Sequence, residues 1–512
     1  MLDAQMPSGG RPRQLPVDTV LLAMALCVDE GRPAHLVAGW RTLGDLPVAT
    51  KVRLGAARTD DGLLADATYR QFSHAHRTMM ATIDPAPVPS FKGVAEADRS
   101  ARLDAARHGI DAEAANERLE EVLDALVEAS VPERYKAASR SLAVDWTDHE
   151  TWSRPRGKDD PQPAADPTAA WGHAKRNAPG AKDHLFFGYY AQVATMVADE
   201  RGEAVPELVR RIAFGSPRTD PPAVMATTLV RAYNAGVLPG DVLADCGYSN
   251  RDPQTFASAL GRSGASLVVD LHPTDRGPRG THKGAIVSNG NCYCPATPKA
   301  LLDLGPLARS ASAAETAAHD EATRELSRYK LGRVSSDDQD GTHRVMCPAA
   351  MGKCRCALRP TSMALDYERP EVVSPPEHPP TCCAQKTISV PVSIDTKRRQ
   401  KHDYPSRAHR LSYNRRTASE RTFSWIQDPA TGAVRRGWSR LFGRAPNALL
   451  YALVVVVRNV RLVLAAEDRE NDAARRAAMG LSPLTRRRRR RRRRLEQAQP
   501  EPVDGAPDPT PG

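Results

Sequence analysis

No stretch of this chain is both long and uninterruptedly apolar. The best candidate, residues 449–457 and their continuation to 464, is broken by Arg458, Asn459 and Arg461, whereas a membrane span needs roughly 20 nearly unbroken apolar residues. A transmembrane helix is therefore not expected. The opening residues MLDAQMPSGGRPRQ lack an apolar segment behind their charges, so no secretory leader is readable and a cytoplasmic chain without a membrane partner is expected. A phosphate-binding P-loop is missing too. The glycine-rich run DLHPTDRGPRGTHKGA carries His272, Arg276, Arg279, His282 and Lys283 but not the G-x4-G-K-[ST] spacing, so it reads as a loop approaching DNA phosphate or as a solvated loop. Excess positive charge is also scarce outside one place. Residues 486–494 are nine consecutive arginines and account for nine of the net +11, leaving +2 on everything else. Such a run either binds phosphates in a salt-dependent, sequence-independent way or is a low-complexity extension. The basic balance alone does not identify a partner.

With 512 residues, 41% hydrophobic and 26% charged, two or three domains are expected. LLAMALCVDEG closing on Gly31, TYRQFSHAHRTMMATID, and AANERLEEVLDALVEAS with Leu119, Val122, Leu123, Leu126 and Val127 on one face read as helices, so residues 1–136 form a helical N-terminal domain. It is either a reader of DNA ends or a plain packing module. From Ser141 short apolar runs take over: SLAVDW, HLFFGYYAQVATMVA, DVLADCGY and ASLVVDLHP read as buried strands. PPAVMATTLVRAYNAG and DPQTFASALGRSG read as helices between them. Alternation of this kind indicates an α/β domain, assigned to residues 137–285 and 397–468. Residues 286–396, rich in Pro, Cys and charge, read as a Cys-rich insertion, and residues 469–512 as a disordered Arg-rich tail.

Three acids stand where catalysis would want them. Asp145 follows one strand-like run, Asp245 follows another, and Glu420 lies in the helix-like run SYNRRTASERTFSWIQ. Acids at strand ends project into the crevice at a sheet's carboxyl edge, and a helix crossing that edge can bring a third. Hard oxygen donors suit two Mg²⁺ or Mn²⁺ ions, which together drive in-line phosphoryl displacement. Asp148 competes with Asp145 for the first position, and any such Asp also suits a helix cap. Tyr413, Arg416, Glu420 and Gln427 are separated by three, four and seven residues and line one helix face. Arg416 there either binds a phosphate or forms an intrahelical pair with Glu420. A basic cluster of Lys397, Arg398, Arg399, Lys401, Arg407, Arg410, Arg415 and Arg416, relieved only by Asp403, leads into this helix. Together with Tyr413, its Lys397, Arg398, Arg399, Lys401, Arg415 and Arg416 are the expected contacts to DNA backbone.

The set LAVDWT, VLADCGYSN and Y-x2-R-x3-E, with GYYAQVAT and DLHP in order between the acids, resembles the bacterial insertion-sequence DDE transposases of the group with the Tyr-Arg-Glu-Lys signature. The resemblance covers residues 138–467. It implies a ribonuclease-H-like catalytic domain in which Asp145, Asp245 and Glu420 bind two Mg²⁺ ions, cut double-stranded DNA at the element ends and join it to a target. It further implies a homodimer in the synaptic complex. The sequence departs from the signature at its last position, where Gln427 replaces lysine. Some of these enzymes hold a flipped base in an aromatic, usually Trp-containing pocket. No Trp lies between Trp171 and Trp425 here, which leaves Phe256 or Tyr248 to stack on a base. A DNA nuclease of the same fold and a non-enzymatic DNA-binding relic are the alternative functions.

Seven of nine cysteines fall in the insertion: Cys292, Cys294, Cys347, Cys354, Cys356, Cys382 and Cys383. In a cytosolic chain such clustering favours a structural Zn²⁺ over disulfides. The C-x-C and C-C spacings are weaker than paired CxxC knuckles, and reduced thiols buried as small apolar residues are the alternative.

Overall fold

The computed structural model describes residues 15–60, 63–157, 160, 162–174, 184–339 and 341–482; the arginine run 486–494 lies outside them. The N-terminal region folds as expected into helices Val17–Asp29, Leu36–Gly44, Tyr69–Ile83, Arg99–Arg107 and Ala112–Ala129. Tyr69–Ile83 starts in a reciprocal capping box between Thr68 and Gln71, which satisfies backbone donors that the first turn leaves open. A short hairpin, β1 (Ala57–Asp60) with β2 (Leu63–Asp66), is added among these helices.

The central sheet has six strands: β3 (Ser141–Glu150), β4 (Ala170–Ala174), β5 (His184–Val197), β6 (Val209–Gly215), β7 (Asp241–Ala244) and β8 (Ser266–Val269). Its order is β4-β5-β3-β7-β8, with β6 also on β5. β5 is long enough to hold β4 along its first half and β6 along its second. It pairs antiparallel with β3 over ten positions, from Ser141 opposite Val197 to Glu150 opposite Gly188. On the other side of β3 the pairing turns parallel, first to β7 and then to β8. Parallel neighbours need crossovers; helix Pro221–Asn234 leads into β7, and Cys246–Ser249 with Ala257–Arg262 joins β7 to β8. DVLA and SLVV are almost wholly buried, as expected of parallel strands covered on both faces.

Strand alternation separates the two faces of β3. Asp145, Thr147 and His149 face helices Thr417–Gln427 and Arg444–Ala478, touching Ser419, Gln427 and Asn447 respectively. Trp146 points to the other face and packs on Tyr248, ring centroids 4.6 Å apart.

One hydrophobic core runs from the N-terminal helices (Leu21, Phe72, Met79, Leu119, Leu123) through the sheet (Tyr189, Val193, Ile212, Phe214) to residues 445–457 of helix Arg444–Ala478. The described residues between 15 and 136 therefore share their core with the sheet rather than enclosing one of their own. Helix Arg444–Ala478 is long and apolar enough to cross a membrane, and 67% of its most apolar window is buried inside the protein. It also carries helical structure to Ala478, past the boundary at 468, so the described part of the expected disordered tail is first helical. Val460 closes one compact unit; residues 461–512 form a second.

The insertion is more regular than its composition suggests. Two small antiparallel sheets form there, the first of them beginning ahead of residue 286: β9 (Pro278–His282) to β11 (Asn291–Tyr293) around β10 (Ala285–Ser288), and β12 (Gly332–Arg333) to β14 (Thr387–Val390) around β13 (His343–Met346). Helix Ala313–Tyr329, capped by Ser312 and Glu315, stands between them in sequence.

An edge of the central sheet is sealed by one side chain. Asn459 Oδ1 accepts from the Val209 N–H (2.9 Å), and its Nδ2 donates to Val209 O (2.8 Å) and to Ser130 Oγ (2.9 Å). Both Asn459 and Val209 are fully buried. Asn459→Leu leaves a buried backbone donor and acceptor unsatisfied and is expected to cost about 2–3 kcal/mol, read as a lowered urea midpoint at unchanged slope.

Candidate active site

Asp145 and Asp245 are brought together by strand register. Leu142 lies opposite Val242 and Ala143 opposite Leu243 in the parallel pair β3/β7. Two residues further along, the same register sets Asp145 level with Asp245, on strands about 4.8 Å apart. The next pair continues the row, because Ala244 lies opposite Val269, which places Asp270 level with Asp245. Three acids thus occupy one level across three parallel strands, at the carboxyl ends of β7 and β8.

Each acid is held differently. Asp245 Oδ1 accepts from the Gly247 N–H at 2.9 Å and caps the turn Cys246–Ser249, the role open to any Asp before a helix. Gly247 is required beside it, since a Cβ there would meet the Trp146 ring at 2.4 Å. Asp270 accepts from the Tyr404 hydroxyl at 2.9 Å and pairs with Arg276 at 3.5 Å. Asp145 Oδ1 accepts from the Trp146 N–H at 2.9 Å, while Oδ2 accepts from Arg416 Nη1 at 2.9 Å and Ser419 Oγ at 3.3 Å.

Glu420 arrives from the crossing helix. The expected continuous helical face is interrupted by a 3₁₀ turn, Asn414–Arg416, between helices Arg407–Tyr413 and Thr417–Gln427. Because side chains three apart eclipse in a 3₁₀ turn, Arg416 stays over the Tyr413 ring, 5.6 Å from its centroid. Tyr413 in turn stacks on His409. Arg416 Nη2 donates to Glu420 Oε1, so one guanidinium bridges Asp145 and Glu420. The intrahelical pair and the contact to the strand acid are both made. Glu420 is the open member, with its side chain 51% exposed against 16% for Asp145. Alternation puts Asp148 with Trp146 on the opposite face of β3 from Asp145. Geometry therefore favours Asp145 as the partner of Glu420.

Burial, and then the charge of Asp245, raise the Asp145 carboxyl to about 6 against an ordinary 3.8. Burial raises Asp245 as well, with Asp270 adding to it and Arg416 opposing it. Arg416 is itself pushed up: burial works against its charge, but Tyr413, Asp145, Glu420 and Asp245 hold it cationic. The cluster is short of positive charge even with the guanidinium present. Hard carboxylate oxygens with that deficit suit Mg²⁺ or Mn²⁺. Among the described residues no group of three or more His, Cys, Asp or Glu side chains is drawn together as round an ion. Here the reason is visible: Asp145 and Glu420 bind separate nitrogens of one guanidinium and are held its width apart.

The basic cluster before Glu420 is not a free cationic face. Lys401 Nζ lies 2.9 Å from both carboxylate oxygens of Asp241, Arg415 Nη2 is 2.8 Å from Asp241, and both also reach Glu200. Lys397 pairs with Asp275 at 2.7 Å and Arg398 with Asp395. Arg399 donates to Pro391 O at 2.6 Å, and Arg410 pairs with Asp320 at 2.9 Å. These contacts tie the segment to the sheet and insertion; the acids that hold Lys397, Lys401 and Arg415 lie more than a hundred residues away in sequence, whereas Asp395 is only three from Arg398. Gln427, in the signature's lysine position, donates to Thr147 Oγ1 at 3.0 Å. Tyr248 and Phe256, the rings expected to stack on a base, are buried against each other at 5.1 Å, and Tyr248 donates to Gln192. Internal packing uses both.

A cationic surface does exist elsewhere. A cleft of ≈ 940 Å³ beyond the end of β3 is lined by Trp152, Arg154, Arg156 and Arg436, with Phe91 and Phe442 beneath. Arg440 sits 5.0 Å over the Trp152 ring, which is 40% exposed. Arg156 is paired with Glu96 and Asp160; Arg154, Arg436 and Arg440 have no carboxylate partner among the described residues. Cations interleaved with an exposed indole suit a nucleic-acid strand. The signal was present in WSRPRG and RRGWSR, two basic-aromatic runs far apart in sequence.

No known family model matches the chain, and no curated protein matches it.

The raised Asp145 has a pH consequence of definite sign. A carboxyl whose folded value exceeds its unfolded one binds extra proton in the folded state, so its contribution to stability is lost as pH rises from about 4 to about 6. Metal binding needs the ionised form and strengthens over that window. Melting temperatures of metal-free wild type and Asp145→Asn, compared from pH 4 to 7, are expected to diverge in this sense. A pH-independent difference would show that Asp145 titrates normally.

Proposed function

We propose that the chain is a metal-dependent DNA transposase with a ribonuclease-H-like catalytic domain. The observation that carries this reading is the convergence of Asp145, Asp245 and Glu420 around Arg416 at the carboxyl edge of a sheet. The strand arrangement supports it: a central β3, antiparallel neighbours on one side and two parallel strands on the other, with helix Thr417–Gln427 crossing the face that carries Asp145.

On this reading Asp145, Asp245 and Glu420 would hold two Mg²⁺ or Mn²⁺ ions, whose chemistry there would be Lewis-acid assistance to an in-line phosphoryl displacement. Arg416 exchanges its carboxylate contacts for the scissile phosphate, where a bidentate guanidinium suits two oxygens. The half-buried Tyr413 ring beneath it restricts the direction in which it can move. Water attacks the phosphodiester at an element end, and the freed 3′ hydroxyl then attacks target DNA. Duplex backbone is held by the Trp152 cleft and its arginines rather than by the paired cations of residues 397–415. Two ends brought together imply a homodimer in the synaptic complex.

Cleavage of a plasmid carrying the gene's flanking DNA tests the chemistry. Cutting at the element ends in Mg²⁺, absent in EDTA, is expected for wild type. Asp245→Ala and Glu420→Ala are expected to lose at least about 10²-fold in rate, as several kcal/mol of metal stabilisation corresponds to, while still binding DNA. Cutting without rejoining would leave a nuclease, and binding without cutting in any divalent ion would leave a DNA-binding relic.

The cleft is tested by salt dependence. Arg154→Ala and Arg436→Ala are each expected to reduce the slope of log K against log[salt] by about 0.9. Lys401→Ala and Arg415→Ala are expected to leave that slope unchanged and to lower stability instead, because Asp241 loses buried partners. The opposite pattern would return DNA binding to residues 397–415.

A further inference from the structure

The seven insertion cysteines divide into two groups in space. Cys292, Cys382 and Cys383 pack in an apolar cluster with Val287, Leu331, Val345, Ile388 and Val390. Cys294, Cys347, Cys354 and Cys356 form a second cluster, whose only other buried members are Tyr329, Ala349 and Val372. More than half of that second core is thiol. The same four side chains line a cavity of about 10 Å³, room for one water-sized sphere. The fifth cysteine on its wall, Cys383, belongs also to the first cluster, with its Sγ 4.0 Å from that of Cys382.

All seven thiols are free and buried. Four of them meet round one small void, with Pro348, Leu358, Val372 and Pro376 also on its wall. The four come from three separate segments: the exit of β11 bears Cys294, the turn after β13 bears Cys347, and an irregular stretch bears Cys354 and Cys356. A coordinating divalent metal takes the place of a thiol's proton outright. Arg359 on the cavity wall supplies positive charge beside a site that would carry a net −2.

We infer that Cys294, Cys347, Cys354 and Cys356 bind one structural zinc ion, which holds the insertion together. Zn²⁺ replaces four thiol protons, giving a tetrathiolate site and releasing four protons to solvent. Closed four-sulfur coordination is the usual form of a structural zinc site. The thiols are not yet at ligand distance from a common point, and rotation of their side chains inward on the cavity is what binding requires. Cys292, Cys382 and Cys383 remain apolar packing.

The inference is independent of the DNA chemistry and is read without it. Full-length protein purified without chelator is expected to contain one zinc per chain by elemental analysis. Co²⁺ exchanged into the wild type is expected to show the intense thiolate charge-transfer band and visible spectrum of tetrahedral sulfur ligation. Cys354→Ser with Cys356→Ser is expected to lose the metal; Cys292→Ser with Cys382→Ser, and Cys383→Ser alone, are expected to keep it. Wild-type protein folded by circular dichroism, zinc-free and without a cobalt thiolate band, overturns the site, whether or not any variant folds. Loss of zinc in Cys383→Ser with retention in Cys354→Ser overturns the ligand set.

Discussion

Two carboxylates carried at one level by adjacent parallel strands cannot both be ionised in a largely buried place without a cation beside them. In this protein the register of β3 against β7 imposes that condition on Asp145 and Asp245, and β8 adds Asp270 to the same row. Arg416 answers it. Its guanidinium lies against Asp145 and Glu420 and feels Asp245 as well, so the helix bearing Glu420 is fastened to the sheet by the group that neutralises the acids. Helix placement and charge compensation are one interaction. Removing the cation would release the helix end and leave the row of acids mutually repelling, which is why so polar a centre is compatible with a stable fold.

The compensation is incomplete, and that incompleteness connects structure to the proposed chemistry. Arg416 contributes one positive charge to three nearby acids, and Asp145 still stays protonated up to about pH 6. A pair of divalent ions would bring four charges, enough to ionise every acid in the row and to free the guanidinium for a phosphate. Asp270 is the natural spectator of such an exchange. Tyr404 and Arg276 already satisfy it, so it shapes the field at Asp245 without needing the ions.

What could be read in the chain beforehand was set by local periodicity. The strands at Ser141, His184, Asp241 and Ser266 and the helices at Val17, Tyr69, Ala112 and Pro221 all appear where apolar patterning put them, because each pattern is decided within a few residues. The convergence of Asp145 and Asp245 was anticipated only as a tendency of strand ends; the register that makes them neighbours depends on the β3/β7 pairing across about a hundred residues. Partner choice was the least legible. Lys397, Arg398, Lys401 and Arg415 look like a phosphate-binding run in one dimension, yet their counter-charges Asp275, Asp395, Asp241 and Glu200 mostly lie in distant segments. Tyr248 and Phe256 likewise looked free because the residues that bury them, Trp146 and Gln192, are remote in sequence.

The shared core has a consequence for how DNA would be recognised. A separate end-reading domain on a flexible tether could bind DNA in many orientations relative to the acids. Here Phe72, Met79, Leu119 and Leu123 are buried in the same cluster as Val193 and Phe214 of the sheet, and Glu128 of helix Ala112–Ala129 is clamped by Arg210 and Arg211 of β6 at 2.8 and 2.6 Å. Any duplex held on the outer face of those helices would therefore be presented to Asp145 and Glu420 in one orientation. On the proposed function, preorganisation of that kind would raise the effective concentration of the scissile phosphate at the carboxylates. It would also limit which end sequences are accepted, because the grip could not adjust independently of the chemistry.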